Sequence, residues 1–147
     1  MINPNIINDY NEKLLFDISL VNQLVNSVFL GEGQSNAELN IILTNRETLS
    51  SLKKQYFNVD QFTDVIAFNL EDEDEDIEGE VYISIDDVLE NSKTFSVTFN
   101  NEFKRVLIHG VLHLLGYDDH EEDDIKIMRD LEQKYLLNSN NNIISLK

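Results

Sequence analysis

The chain has 147 residues, a common size for a single domain, and its 41% hydrophobic content excludes a disordered acidic chain. It has no cysteine, which excludes disulfide bonds, thiolate metal sites and cysteine nucleophiles. The 28 acidic residues outnumber the 11 basic ones, and the formal net charge of −17 argues, as a bulk property, against binding to DNA, RNA or anionic membranes.

The first half of the chain alternates predicted helices and strands. Apolar residues recur with helical spacing over Leu14 to Leu30 and stop at Gly31, so we predict a first helix there. The apolar run from Ala37 to Thr44 predicts a largely buried strand. A second helix follows, with Asn45 or Thr48 as its N-cap.

A pair of strands is predicted next. Thr63 to Leu70 and Gly79 to Ile85 are rich in β-branched and aromatic residues, which favour strands. The acidic run from Glu71 to Asp76 separates them, and six consecutive like charges cannot be buried together. We therefore predict paired strands joined by a solvent-exposed loop.

Helices are predicted for the second half. Asp86 and Asp87 suit the cap and first turn of a helix because carboxylates are stabilised at the positive end of the helix dipole. The main helix starts at Asn100 or Asn101 and runs to Gly116, and a last helix spans about Asp123 to Leu137 before a frayed tail (NSNNN). This order of elements predicts an α+β fold with one small sheet, in a single domain of residues 1–147.

Targeting and membrane signals are absent from the sequence. The first ten residues lack the basic and apolar regions of a signal peptide. The longest apolar stretch, Val106 to Leu115, is far shorter than the roughly 20 residues of a membrane span. We therefore expect a cytoplasmic protein with no membrane partner.

All three histidines lie in one segment, RVLIHGVLHLLGYDDH. His109 and His113 are four residues apart, so their rings project from one side of the predicted helix. A histidine on a buried helix is more often a hydrogen-bonded core residue. Here the helix is apolar nearly all round apart from the two rings and Gly110, and one metal ion would satisfy both imidazoles.

A third metal ligand is available just beyond the helix. Gly116 can end the helix in the left-handed conformation that glycine tolerates, and the returning chain then offers Asp118, Asp119 or His120. Gly110 stands where metalloproteases with the H-E-x-x-H motif have a catalytic Glu, which disfavours peptide hydrolysis. Metal-assisted phosphodiester hydrolysis does not need that Glu and stays open.

The segment HGVLHLLGYDD at residues 109–119 resembles the signature H-G-x-L-H-L-x-G-Y-D-H of the YbeY family, bacterial endoribonucleases and rRNA maturation factors. TDVIAF at residues 63–68 is similar to the family's T-D-V-L-S-F strand, and GEVYIS at residues 79–84 to its G-D-I-x-I-S strand. The helix that carries Met128, Leu131 and Glu132 has a counterpart too. The resemblance runs in order from about residue 37 to 137.

This resemblance implies a fold, an activity and a cofactor. The fold would be a small mixed four-stranded sheet packed with about five helices, with the metal-binding histidines on a central helix. The activity would be metal-dependent cleavage of single-stranded RNA in 16S rRNA 3′-end maturation and ribosome quality control, with one Zn²⁺ ion as the expected cofactor.

Two positions depart from the family pattern. The family's third histidine falls at Asp119 here, and the spacing to Met128 fits without a gap, so Asp119 is the favoured third ligand and His120 the alternative. An aspartate oxygen is an acceptable zinc ligand. The resemblance also implies an arginine that contacts the RNA phosphate, and Phe57 stands at its position, in the stretch YFNVD at residues 56–60. A phenyl ring cannot make the bidentate contact that arginine makes with a phosphate.

Other cations could replace the missing arginine. Lys53 and Lys54 lie one turn before Phe57, and Arg105 lies one turn before His109; each could instead be a solvated surface charge. The loss of the arginine and the altered ligand also leave a second hypothesis, a ribosome-assembly factor whose metal is structural and which binds a ribosomal protein without turnover.

Half of the acidic residues lie in two short segments. Residues 71–80 hold eight and residues 118–124 hold six, with no basic residue in either, so the rest of the chain is close to neutral. The bulk charge is therefore a weaker argument against RNA, because local fields decide a contact. We expect rRNA to be presented on the small ribosomal subunit, a basic ribosomal protein to be a further partner, and DNA not to bind.

Overall fold

The computed structural model describes residues 2–58 and 63–147. Its elements in chain order are β1 (Asn5–Asn8), β2 (Leu14–Phe16), α1 (Ile18–Gly31), β3 (Ala37–Thr44), α2 (Arg46–Phe57), β4 (Val65–Asn69), β5 (Ile77–Ser84), α3 (Ile85–Thr94), α4 (Phe99–Leu114), α5 (Glu122–Leu137) and β6 (Ile144–Leu146). No helix within these residues is long and apolar enough to cross a membrane.

Four strands form one mixed sheet in the order β1-β3-β5-β4. The β1–β3 and β3–β5 pairs are parallel, and β4 pairs with β5 in the antiparallel direction. The predicted α+β class with a mixed four-stranded sheet and five helices is confirmed. The acidic run between β4 and β5 is a largely exposed loop, as predicted.

Helix α4 is the centre of the hydrophobic core. Ten of its 16 residues are buried, and it contacts the sheet as well as α1, α3 and α5. It approaches the sheet closely through two glycines. A Cβ atom added to Gly110 would lie 2.7 Å from Val81 Cγ1, and one added to Gly79 would lie 2.8 Å from Leu114 Cδ1. The glycines therefore fix the distance between the histidine helix and the sheet.

Two sequence predictions were wrong. The first helix begins at Ile18, not Leu14, because Asp17 caps it by accepting a hydrogen bond from the Leu20 backbone N–H at 3.0 Å, and residues 14–16 form β2. The tail at residues 138–142 is anchored, not frayed. The Asn100 side chain donates to the Asn141 carbonyl at 3.2 Å and accepts from the Ile143 N–H at 2.7 Å, and β6 then pairs with β2.

Helix starts were otherwise predicted to within a few residues. Asn45 caps α2 as expected. Ser84 caps α3, with both predicted aspartates in the first turn, and Thr98 caps α4 two residues before the predicted start. The hydroxyl caps were missed because neighbouring carboxylate and amide side chains have equal capping propensity.

Replacing Gly110 by Ala tests the close approach of α4 to the sheet. We expect the free energy of unfolding to fall by about 1–2 kcal/mol, because overpacking against Val81 outweighs the better helix propensity of Ala. Urea denaturation measures this change. In a Val81→Ala background the same substitution should cost less, and equal costs in the two backgrounds would contradict the packing argument.

Candidate metal centre

The two histidines of α4 face each other. Their rings meet edge to face with centroids 4.6 Å apart, and His109 Nε2 lies 3.0 Å from His113 Nε2. Both side chains are partly exposed, and their Nε2 atoms face Asp119 in the chain that follows α4. The structure thus has the i, i+4 arrangement that the spacing predicted.

The chain reverses after α4 and returns to the histidines. Gly116 has φ +101°, and the Tyr117 N–H donates to the Leu112 carbonyl at 3.1 Å, which closes the end of the helix. Asp119 then lies with Oδ2 3.3 Å from His109 Nε2 and Oδ1 3.7 Å from His113 Nε2.

The other two predicted candidates lie outside this group. The His120 side chain is 81% exposed, and its Nε2 is 3.3 Å from Asp118 Oδ1. Asp118 also accepts the Asp119 backbone N–H at 2.8 Å, which helps to fix the loop. Of the predicted ligands, the structure therefore brings His109, His113 and Asp119 together, and their role in metal binding stays a prediction.

The donor geometry fits one tetrahedral ion. Ligand atoms bound to zinc at about 2.0 Å in a tetrahedron are about 3.3 Å apart. The two Nε2 atoms lie 3.0 Å apart; His109 Nε2 is 3.3 Å from Oδ2 of Asp119, and His113 Nε2 is 3.7 Å from its Oδ1. Two imidazoles and one carboxylate are also a donor set that zinc accepts. The residues present therefore fit the group that the sequence predicted.

A buried carboxylate on α5 orients His109. The Nδ1–H group of His109 donates to Glu132 Oε2 at 2.8 Å, and Glu132 is only 5% exposed. This bond places a proton on Nδ1, so Nε2 is the ring nitrogen that faces His113 and Asp119. Sequence reasoning assigned Glu132 no role. The sequence did contain one indication of a role for Glu132: this carboxylate lies between Met128 and Tyr135 on the buried side of α5.

Arg105 is paired with carboxylates and is not the solvated surface charge that was one of its two interpretations; its contact with phosphate stays a prediction. Its guanidinium bonds to Glu102 at 2.6 Å and to Glu132 at 3.2 Å, and it lies 3.5 Å from Asp64 Oδ2. Hydrogen bonds to Glu102 and the nearby charges hold the pKa of Arg105 above its usual value. Arg105 therefore neutralises the carboxylates around His109.

The two histidines have opposite electrostatic environments. Burial alone would lower the pKa of His109, but the hydrogen bond to Glu132 and the charges of Glu132, Asp119 and Asp64 raise it overall. Burial and the neighbouring His109 lower the pKa of His113. His113 is therefore neutral at pH 7, with a lone pair available for a metal.

The loop that carries Asp119 is anchored to α1 and α5. The hydroxyls of Tyr117 and Tyr135 both donate to the carboxylate of Glu32, at the C-terminal end of α1. Burial opposes ionisation of Glu32, but these two bonds and the charge of Lys134 lower its pKa overall. Three elements are thus joined one residue after the turn at Gly116.

A family model described as Endoribonuclease YbeY matches residues 7–140. The chain belongs to the YbeY family. A relative named Endoribonuclease YbeY from Flavobacterium psychrophilum is 42% identical over 130 residues, which cover 86% of this chain and 92% of the relative. One with the same name from Salinibacter ruber is 34% identical over 82% of both chains. A solution structure of a Thermotoga maritima protein matches with a TM-score of 0.60 and 31% identity, covering 90% of this chain and 86% of that one.

Phe57, which stands where the resemblance implies an arginine, packs against a second aromatic ring and a lysine. Phe57 stacks on Phe68 of β4 with ring centroids 5.8 Å apart, and the Lys53 ammonium lies 5.1 Å from the Phe57 centroid. Of the stretch YFNVD, positions 59 and 60 lie outside the described residues. Lys54 is exposed in the last turn of α2. Lys53 is therefore engaged with a ring.

Replacing Glu132 by Gln tests the orientation of His109. We expect zinc affinity to fall by 10- to 100-fold, because the substitution weakens the bond that fixes the His109 tautomer. Competition with a fluorescent chelator measures the affinity. Glu122→Gln, an exposed change in the first turn of the same helix, serves as the matched control. Equal affinities in the two folded variants would remove Glu132 from the site.

Proposed function

We propose that residues 1–147 form one metal-dependent hydrolase domain that cleaves single-stranded RNA, with His109, His113 and Asp119 as ligands of one Zn²⁺ ion. The number of donors carries this proposal. Within residues 2–58 and 63–147, the group around the two Nε2 atoms contains three donor side chains. Structural zinc sites are closed by four protein ligands, whereas catalytic sites have three and an open position. The donor count therefore favours turnover over an assembly factor with a structural metal.

Each residue around the centre would have a different role in holding the metal ion. His109 and His113 direct their Nε2 atoms to one point, and Glu132 keeps the proton on His109 Nδ1. Asp119 adds one negative charge beside the two rings. A bound zinc ion supplies Lewis acidity for phosphodiester hydrolysis.

A metalloprotease is disfavoured by packing as well as by sequence. Gly110 faces the sheet, where an added Cβ would meet Val81 at 2.7 Å and Val65 at 3.0 Å. A glutamate at this position would point into the core and not at a metal-bound substrate. The position therefore cannot carry the general base of the H-E-x-x-H mechanism.

The substrate class follows from the family. Relatives at 34–42% identity are named endoribonucleases, which supports RNA as the substrate. The resemblance further suggests 16S rRNA 3′-end maturation and ribosome quality control in the cytoplasm. The acidic residues 118–124 adjoin the proposed centre and repel free phosphate. We therefore propose that rRNA reaches the site while it is held on the small ribosomal subunit, with a basic ribosomal protein against an acidic segment.

Two alanine substitutions separate the candidate third ligands. Asp119→Ala should lower bound zinc strongly because it removes the oxygens 3.3 and 3.7 Å from the histidine nitrogens. His120→Ala should leave bound zinc nearly unchanged because that ring is exposed. Elemental analysis of the purified variants measures the difference, and the reverse order would exclude Asp119.

The activity itself is tested with purified protein and single-stranded RNA. We expect cleavage by the zinc-loaded wild type, loss of cleavage with a chelator, recovery on adding zinc, and at least a 100-fold lower rate for His113→Ala. Separation of the products on a gel measures the rate. Equal residual cleavage by wild type and His113→Ala would indicate a contaminating nuclease and favour the assembly-factor hypothesis. Faster cleavage of rRNA on small subunits than of the same free RNA would support presentation by a partner.

A further inference from the structure

A cavity of about 460 Å³ lies beside the proposed metal centre, between α5 and the start of α4. We call it the α4–α5 cavity. Its lining includes Phe95, Val97, Arg105, Arg129, Glu132 and Leu136. The cavity and the centre share one carboxylate: Glu132 lines the cavity and accepts a hydrogen bond from His109 Nδ1, whereas His109, His113 and Asp119 are not part of the lining. The Glu132 carboxylate and the His109 ring therefore lie between this cavity and the Nε2 atoms of the centre.

One side of the cavity presents exposed apolar groups. Phe95 ends α3 and is 59% exposed, and Val97 is 37% exposed. Ser96 between them has φ +55°, and the Val97 N–H donates to the Ser92 carbonyl at 3.0 Å. This left-handed turn leaves both side chains outside the core. The Phe95 ring is therefore available to a planar ligand, and aromatic rings on protein surfaces are the usual stacking partners of unpaired bases.

The cavity also offers a cation. Arg129 is exposed, and within the described parts of the chain it forms no ion pair or side-chain hydrogen bond. It precedes Glu132 by three residues, so the two lie on one side of α5, about 4.5 Å apart along the helix axis. Arg105 also lines the cavity, but its charge is shared among three carboxylates. An anion entering the cavity would therefore meet Arg129.

We propose that the α4–α5 cavity is a nucleotide subsite, in which Phe95 stacks on a base of the bound RNA and Arg129 binds a backbone phosphate. This inference rests on the proposed function. The exposed Phe95 ring suits a base, and the Arg129 guanidinium, which has no ion pair within the described residues, suits a phosphate.

The test measures RNA binding separately from cleavage. All proteins carry His113→Ala, so that a fluorescent single-stranded RNA remains intact during an anisotropy titration. Arg129→Gln should weaken binding about tenfold and reduce the slope of log affinity against log salt by about 0.7, the value for one lost contact to single-stranded phosphate. Lys126→Gln, an exposed cation on the same helix outside the cavity lining, is the matched control and should change affinity less than twofold.

A second substitution tests stacking. Phe95→Leu should weaken binding of the same RNA about tenfold, because a leucine keeps the apolar surface and loses the ring. The penalty should disappear with an RNA backbone that carries abasic sites. A penalty that persists on the abasic RNA would overturn the stacking role.

The outcomes distinguish this inference from the proposed function. If wild type cleaves RNA but Arg129→Gln behaves like Lys126→Gln, the subsite is wrong and the function stands. If wild type never cleaves but RNA binding depends on Arg129 and Phe95, the function is wrong and the subsite stands. If a purified ribosomal protein, and not RNA, protects these two side chains from hydroxyl-radical labelling, the nucleotide assignment is overturned.

Discussion

The geometry of the site depends on one guanidinium that three carboxylates share. Arg105 joins Glu102 on its own helix, Glu132 on α5 and Asp64 before β4. Glu102 is 2% and Glu132 is 5% exposed, and buried carboxylates are tolerated only when they are paired. The pairing decides where α5 lies against α4, and it delivers the second Glu132 oxygen to His109. The orientation of the His109 ring therefore follows from a charge balance one helical turn away.

The part of the site that is local in sequence could be predicted. His109, His113 and Asp119 lie within 11 residues, and a helix, a glycine stop and a returning loop suffice to bring them together. The same holds for the strand from Ala37 to Thr44, whose bounds match the prediction, and for Asn45 as a cap. Hydrophobic periodicity and helix capping depend on residues a few positions apart, so these local elements can be predicted from a single sequence.

The rest depends on contacts between distant segments. Glu132 meets His109 across 23 residues, and the Glu32 carboxylate meets Tyr135 across 103. The sequence around a buried carboxylate does not predict which distant residue it will bind. β1 and β6 were missed for a related reason: each has three or four residues, and each exists because a neighbouring strand supplies its hydrogen bonds.

The exposed acidic loop adds negative charge at the C-terminal end of α4. The Asn69 amide donates both to the Leu114 carbonyl at 2.9 Å and to Glu71 at 3.1 Å, so the loop begins at the C-terminal end of α4. The acidic residues 118–124 follow that same end, where the helix carbonyls add partial negative charge. A polyanionic particle would repel this negatively charged end over the last ~10 Å of approach, about one Debye length. His113 and Asp119 lie at this same end, so a strand of RNA would have to be held against the repulsion to reach them.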